Sequence, residues 1–137
     1  MQSKDQDRKR VGELGESIAC DFLRRKGFKI IERNYRKRWG EIDIIADKDR
    51  EVHFVEVKTV SREPYPGTVY GSREMDYRPE ELVDARKLKK LARTASLYME
   101  VNRDKREYQI DVVGVILSEK IKTARCRLFE QALEDNL

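Results

Sequence analysis

Cysteine, proline and long apolar runs are all scarce in this chain of 137 residues. The two cysteines, Cys20 and Cys126, fit neither a CxxC pair nor the spacing of a zinc site. Neither a disulfide framework nor a structural zinc is indicated, and a reducing cytoplasm is the expected setting. No stretch approaches the roughly eighteen apolar residues needed to cross a bilayer, and the N-terminus has no apolar segment of the secretory kind. No membrane partner is expected. The three prolines, Pro64, Pro66 and Pro79, fall in one stretch that also holds Gly67 and Gly71. Residues 59–79 therefore read as a long loop, a feature that is usually functional or mobile in a compact domain.

What is present is charge. Charged residues make up 41% of the chain and hydrophobic residues 39%, so the protein is polar but keeps enough apolar residues for one core. The first ten residues, MQSKDQDRKR, are almost wholly polar and are expected to form a flexible tail ahead of a single domain over 11–137. The balance of 30 basic against 26 acidic residues is only weakly basic. Its distribution says more: Arg24-Arg25-Lys26, Arg36-Lys37-Arg38 and Arg86-Lys87-Leu88-Lys89-Lys90 contain no acid. One such run is usually a solvated face; three in a short chain shift the balance toward a polyanionic partner.

Apolar periodicity predicts a helix over 12–26, with Leu14, Ile18, Ala19, Phe22 and Leu23 on one stripe and Gly27 as a stop. Strand-like runs follow at 28–31, 41–46 and 51–58, the last two separated by Asp47-Lys48-Asp49-Arg50. A second helix is expected from near Pro79 to about Val101, burying Leu88, Leu91, Ala92, Ala95, Tyr98 and Met99. Residues 108–117 form the most apolar strand, and 121–129 a last strand or strand with a turn. The order implies an α/β fold, a mixed β-sheet flanked by helices.

The hairpin at 41–58 carries the chemistry. With 47–50 as the turn, Ala46 faces Glu51, and Asp43 lies opposite Phe54 and diagonal to Glu56. A two-residue turn is expected to give the same register, whereas an odd-length turn would break it. Lys58 follows Glu56 by two and shares its face. Two carboxylates set among Ile42, Ile44, Val55 and Val57 repel one another, and Lys58 can neutralise only one. A hard divalent cation, Mg²⁺ or Mn²⁺, would resolve the repulsion, activate a water and stabilise charge on a phosphate. Lys58 would orient or deprotonate that water, or steady the developing anion. The alternative is a buried Asp–Lys–Glu salt bridge that merely holds the hairpin.

On the first helix, Glu16 borders the apolar stripe and could supply a third oxygen; the plainer reading is an exposed helix glutamate. On the second, Lys87 borders the stripe beside Leu91, whereas Lys89 and Arg93 point away, and a stripe-edge lysine usually snorkels.

Five segments taken together resemble a known family. They are Gly12-x-x-Gly15-Glu16-x-x-Ala19, Gly40-Glu41-Ile42-Asp43-Ile44-Ile45-Ala46, Phe54-Val55-Glu56-Val57-Lys58, Arg86-Lys87 with Leu91 and Ala95, and Ile110-Asp111-Val112-Val113. In that order they resemble the YraN family of small bacterial proteins, grouped with the restriction-endonuclease-like PD-(D/E)XK nucleases. The resemblance implies an αβββαβ core and a catalytic trio of Asp43, Glu56 and Lys58. It also implies a metal held by Asp43, Glu56, Glu16 and the backbone carbonyl of Val57. Glu41, Lys87 and Asp111 fall on family positions, Glu41 and Asp111 as accessory residues, with a purely structural role as the alternative for Asp111. The chain departs from the pattern at Val60, where a basic residue is common, and in the length of 61–78.

The expected activity is Mg²⁺- or Mn²⁺-dependent hydrolysis of phosphodiester bonds in nucleic acid, with branched or damaged DNA as a substrate class implied by the superfamily alone. Arg36, Lys37, Arg38, Lys87 and Lys90 are the expected nucleic-acid contacts. In the loop, Tyr65, Tyr70 and Tyr77 alternate with Arg62, Arg73 and Arg78 and could stack on bases, or simply serve turn chemistry. The rival functions are a non-cleaving nucleic-acid-binding module that keeps the fold and, more weakly, an interaction protein with a structural charged hairpin. A homodimer is left open.

Overall fold

Ser3 is the first residue described in a computed structural model, which covers residues 3–63 and 79–133. Its hydroxyl accepts the Gln6 amide while the Gln6 side chain accepts the Ser3 amide, closing a capping box at the head of helix α1, Lys4–Arg25. Asp5 and Asp7 occupy the first turn, where the helix dipole favours negative charge. Residues 4–10, expected as a loose tail, are therefore helical. Arg10 also reaches Glu119 at 2.7 Å, tying this polar end to the rest of the fold. Apolar periodicity carries no trace of such a segment, because it buries almost nothing.

The sheet has five strands in sequence order: β1 Lys29–Lys37, β2 Gly40–Lys48, β3 Glu51–Ser61, β4 Tyr108–Ser118 and β5 Thr123–Phe129. Neighbours are antiparallel except β3 and β4, which run parallel and are joined through helix α2, Ala85–Val101. The mixed sheet flanked by helices that the sequence implied is the one observed. The second helix starts later than expected. Pro79–Leu82 forms a 3-10 turn, and α2 begins after Asp84, whose carboxylate accepts the Lys87 amide at 2.8 Å. Strand β3 extends to Ser61, so the loop placed at 59–79 starts later; Tyr65, Tyr70, Arg73, Tyr77 and Arg78 lie outside the described residues.

Each face of the sheet is covered by one helix. Ala19, Cys20 and Leu23 of α1 pack on Ile44, Val55, Val113 and Val115. Leu88, Leu91, Ala95 and Met99 of α2 pack on Tyr35, Ile45, Phe54 and Val112. Leu14, placed on the buried stripe of α1 by periodicity, is exposed, and Cys20 takes an inner position instead. Burial of a side chain such as Leu23 or Phe54 contributes roughly 1.5–3 kcal/mol.

The β2–β3 turn differs from expectation in a way that matters for the site. Lys48 pairs with Glu51, leaving only Asp49 and Arg50 in the loop, with φ of 50° and 67°. Paired positive φ values make a turn whose twist matches the strands it joins. The pairing is displaced by two residues from the four-residue turn: Phe54 faces Ile45, not Asp43. An even displacement preserves the face of every side chain but not its partner. Extending the ladder brings Asp43 level with Glu56.

Candidate metal centre

The site forms where two strands part. The β2–β3 ladder is recorded from Lys48↔Glu51 to Ile44↔Val55 and stops there. Beyond it β2 stays with β1 as far as Gly40, while β3 stays with β4 as far as Ser61. The Val57 amide, which a continuing ladder would pair with backbone, donates instead to Asp43 Oδ2 at 2.8 Å. Two glycines bring the helices close at this point. A Cβ on Gly15 would overlap the Thr59 hydroxyl, so α1 lies directly against β3 and carries Glu16 in beside it. A Cβ on Gly40 would overlap the Thr94 hydroxyl of α2, and Gly40 has a φ of +149° that other residues rarely adopt.

Three carboxyl groups share this gap. Glu56 is only 6% exposed, and its pKa is pushed up to about 7, first by burial and then by the charge of Asp43. Asp43 is raised too, by burial, against the opposing pull of the Val57 amide and of Lys87. The two carboxyls are close enough to share a proton. Glu16 is raised by burial and then by Asp43's charge. Its Oε1 is buried and has no hydrogen-bond partner among the described residues. The counter-charge is Lys87, whose Nζ lies 2.6 Å from Glu56 Oε1. Burial lowers the Lys87 pKa, but Glu56 and Asp43 together outweigh it and the net direction is up.

Around these groups opens a cleft of about 760 Å³. Asp43, Glu56 and Glu41 lie on its lining with Lys37, Arg38, Lys87 and Lys90, so most residues chosen from the sequence converge. Arg36 is not on the lining but pairs with Glu41 at 3.4 Å across an exposed surface. Arg93, expected to point away, does line the cleft. Arg86, named in the sequence only as part of a basic run and a family segment, lines it as well, and so does Trp39, which was not singled out. The adjacency of Trp39 to Arg36-Lys37-Arg38 was the available signal for it.

Lys58 sits half-buried on β3, level with Gly114 of β4. It is not on the cleft lining, and among the described residues it forms no ion pair. The cation that touches Glu56 belongs to α2 instead. Val57 meets Asp43 through its amide and packs its side chain toward the α1-side core.

Asp111 is not brought to the cleft. Fully buried on the α1 side of the sheet, it lies 2.6 Å from His53 Nδ1 through Oδ2. Its Oδ1 accepts from Gln109 Nε2 at 2.8 Å and the Gln131 amide at 3.0 Å. His53, Asp111 and Glu130 do bring ligand atoms within 4.8 Å of one another. Both Asp111 oxygens are already engaged, however, and the group acts as a clamp on the chain after β5.

The donor set in the cleft differs from that clamp. Asp43 and Glu56 offer hard oxygens in the cleft against a single lysine in contact. Glu16, off the lining but within reach of Asp43's charge, adds an unpaired buried oxygen. The set suits a divalent cation of the Mg²⁺ class, although its three carboxylates are not drawn within 4.8 Å of one another as the ligand atoms of the clamp are.

The chain is similar to other proteins over most of its length. A UPF0102 protein of Thermotoga petrophila is 44% identical over 100 residues, covering 73% of this chain and 81% of the relative. One from Campylobacter jejuni is 39% identical over 104 residues, covering 76% and 81%. The sequence profile of the "Uncharacterised protein family UPF0102" matches residues 15–115, from the close-packed glycine of α1 through all the cleft residues into β4. The chain belongs to this uncharacterised family, UPF0102, which is the YraN family.

Proposed function

We propose that the protein is a Mg²⁺- or Mn²⁺-dependent nuclease that hydrolyses phosphodiester bonds, with branched or damaged DNA as the substrate class. One observation carries the reading: Asp43 and Glu56, both with raised pKa values, lie in a cleft with a basic rim, and Glu16 beside Asp43 keeps a buried oxygen without a partner among the described residues. Such an arrangement is unfavourable without a ligand and suited to a cation that meets a phosphate. Asp43, Glu56, Glu16 and the Val57 carbonyl would hold that cation. When bound, it supplies an activated water and neutralises charge on the phosphate. Lys37, Arg38 and Lys90 draw in the polyanion and fix its path. Lys87 holds the charge of Glu56, and its 60% exposure leaves it free to turn to a phosphate oxygen. Lys58, two residues along the same face, would position the attacking water and steady the developing anion. The free cysteines fit a cytoplasmic setting.

A second reading, a nucleic-acid-binding protein that keeps the fold without cutting, is favoured by the position of Lys58 off the cleft lining. Cleavage separates the two. The purified protein is incubated with linear, single-stranded, flapped and four-way DNAs in Mg²⁺ or Mn²⁺. Metal-dependent cutting is expected for wild type, reduced by about 10² or more in Asp43→Asn and Lys58→Met. Equal cutting by all three proteins would identify a contaminant and end the nuclease reading.

A further inference from the structure

Trp39 is the only tryptophan in the chain, and it stands 39% exposed in the turn between β1 and β2. Among the described residues its indole has no aromatic, cationic or hydrogen-bonding partner; only its backbone is held. The Thr94 hydroxyl shares its one proton between the Lys90 carbonyl at 3.0 Å and the Trp39 carbonyl at 3.2 Å, and the adjoining Gly40 is pressed against the same threonine. The turn is thus fastened to α2 from below while the ring faces the cleft that contains Asp43 and Glu56. A large amphipathic ring that stands part-exposed on a cleft lining, with its backbone held from below, is suited to a contact surface.

The ring's neighbours identify the contact. Lys37 and Arg38 precede it in the chain, and Lys90 and Arg93 of α2 line the same cleft. Cations that line one cleft with a part-exposed ring can follow a phosphate backbone while the ring takes a base. Bases inside a duplex have both faces covered by their neighbours, so only an unpaired base can stack on a side chain. We propose that Trp39 is a stacking platform for an unpaired nucleobase, so that the cleft takes a single-stranded or locally unpaired nucleic-acid segment. The assignment rests on the nucleic-acid reading of the cleft and narrows its substrate class.

The lone tryptophan makes the test direct. Intact protein in EDTA and low salt is titrated with an oligothymidylate of about 12 nucleotides, a size typical of single-strand sites. Parallel titrations use a blunt duplex of equal length and inorganic polyphosphate, which has charge but no bases. The oligothymidylate should quench Trp39 emission, and polyphosphate should bind without comparable quenching. Trp39→Ala should weaken oligothymidylate binding by about ten-fold or more. Trp39→Phe should keep most of the affinity, and neither change should alter binding of polyphosphate. Circular dichroism of both variants confirms the fold. Oligothymidylate affinity unchanged in Trp39→Ala, equal quenching by polyphosphate, or preference for the duplex would each overturn the stacking role while leaving a basic nucleic-acid cleft intact. No binding of any nucleic acid would remove both readings. The readout needs no metal and no cutting, so loss of nuclease activity alone does not touch it.

Discussion

Glu56→Gln distinguishes a metal centre from a structural ion pair. With Glu56 at 6% exposure and a pKa near 7, against the ordinary 4.5, its ionisation opposes folding. The gap corresponds to about 3 kcal/mol. A carboxyl with a raised folded pKa holds its proton more tightly when folded than when unfolded. The stability it lends is full below about pH 4.5 and lost as pH rises through about 7. Glutamine cannot ionise, so the variant should match wild type near pH 4 and exceed it at pH 8.5. Lys87 loses its partner in the exchange, but at 60% exposure it can hydrate, which trims the gain rather than reversing it. A net gain on the order of 1–3 kcal/mol would raise Tm by roughly 3–10 °C. The assay is thermal unfolding across this pH range in EDTA, repeated with Mn²⁺. At about 100 times Kd the metal should stabilise wild type by about 2.7 kcal/mol at pH 8. That shift should shrink as pH falls through 7 and largely vanish in the variant. A variant less stable than wild type by the same amount at every pH, with no metal shift in either protein, would refute the reasoning. The Glu56–Lys87 pair would then be structural.

Two further outcomes are expected. Gly40→Ala meets both the Thr94 hydroxyl and a φ of +149°, so it should lower stability by about 2 kcal/mol or more in urea unfolding, and an unchanged midpoint would show that the turn yields freely. Nucleic-acid affinity should be independent of sequence and fall steeply with salt; replacing Lys37 and Lys90 by Gln should reduce the log–log slope by about 1–2, and a slope unaffected by both changes would place the phosphates elsewhere.

Much of the candidate site was legible in the primary sequence because it depends on parity. Asp43, Glu56 and Lys58 share a face for any even-length turn, and so the two-residue turn, like the expected four-residue one, leaves Asp43 and Glu56 together in the cleft. Alternation and helical spacing likewise place the core on α2 and the central strands, since burial there is periodic. The helical N-terminus was not legible in the same way. Its stability comes from Ser3, Gln6 and Arg10, single contacts with no period.

Sequence alone determined the mixed α/β fold, the membership of the carboxylate pair and the basic character of the surface around it. These follow from local periodicity and from residue type, which need no partner in space. Only the tertiary structure decided which lysine meets Glu56, because Lys87 reaches it from a different element by the angle at which α2 crosses the sheet. It also placed Asp111 on the opposite face against His53, brought Glu16 to the gap through the close approach at Gly15, and turned Trp39 toward the cleft. Each of these depends on two chain segments meeting at one distance and orientation, and neither quantity is encoded in the spacing of residues along a single segment.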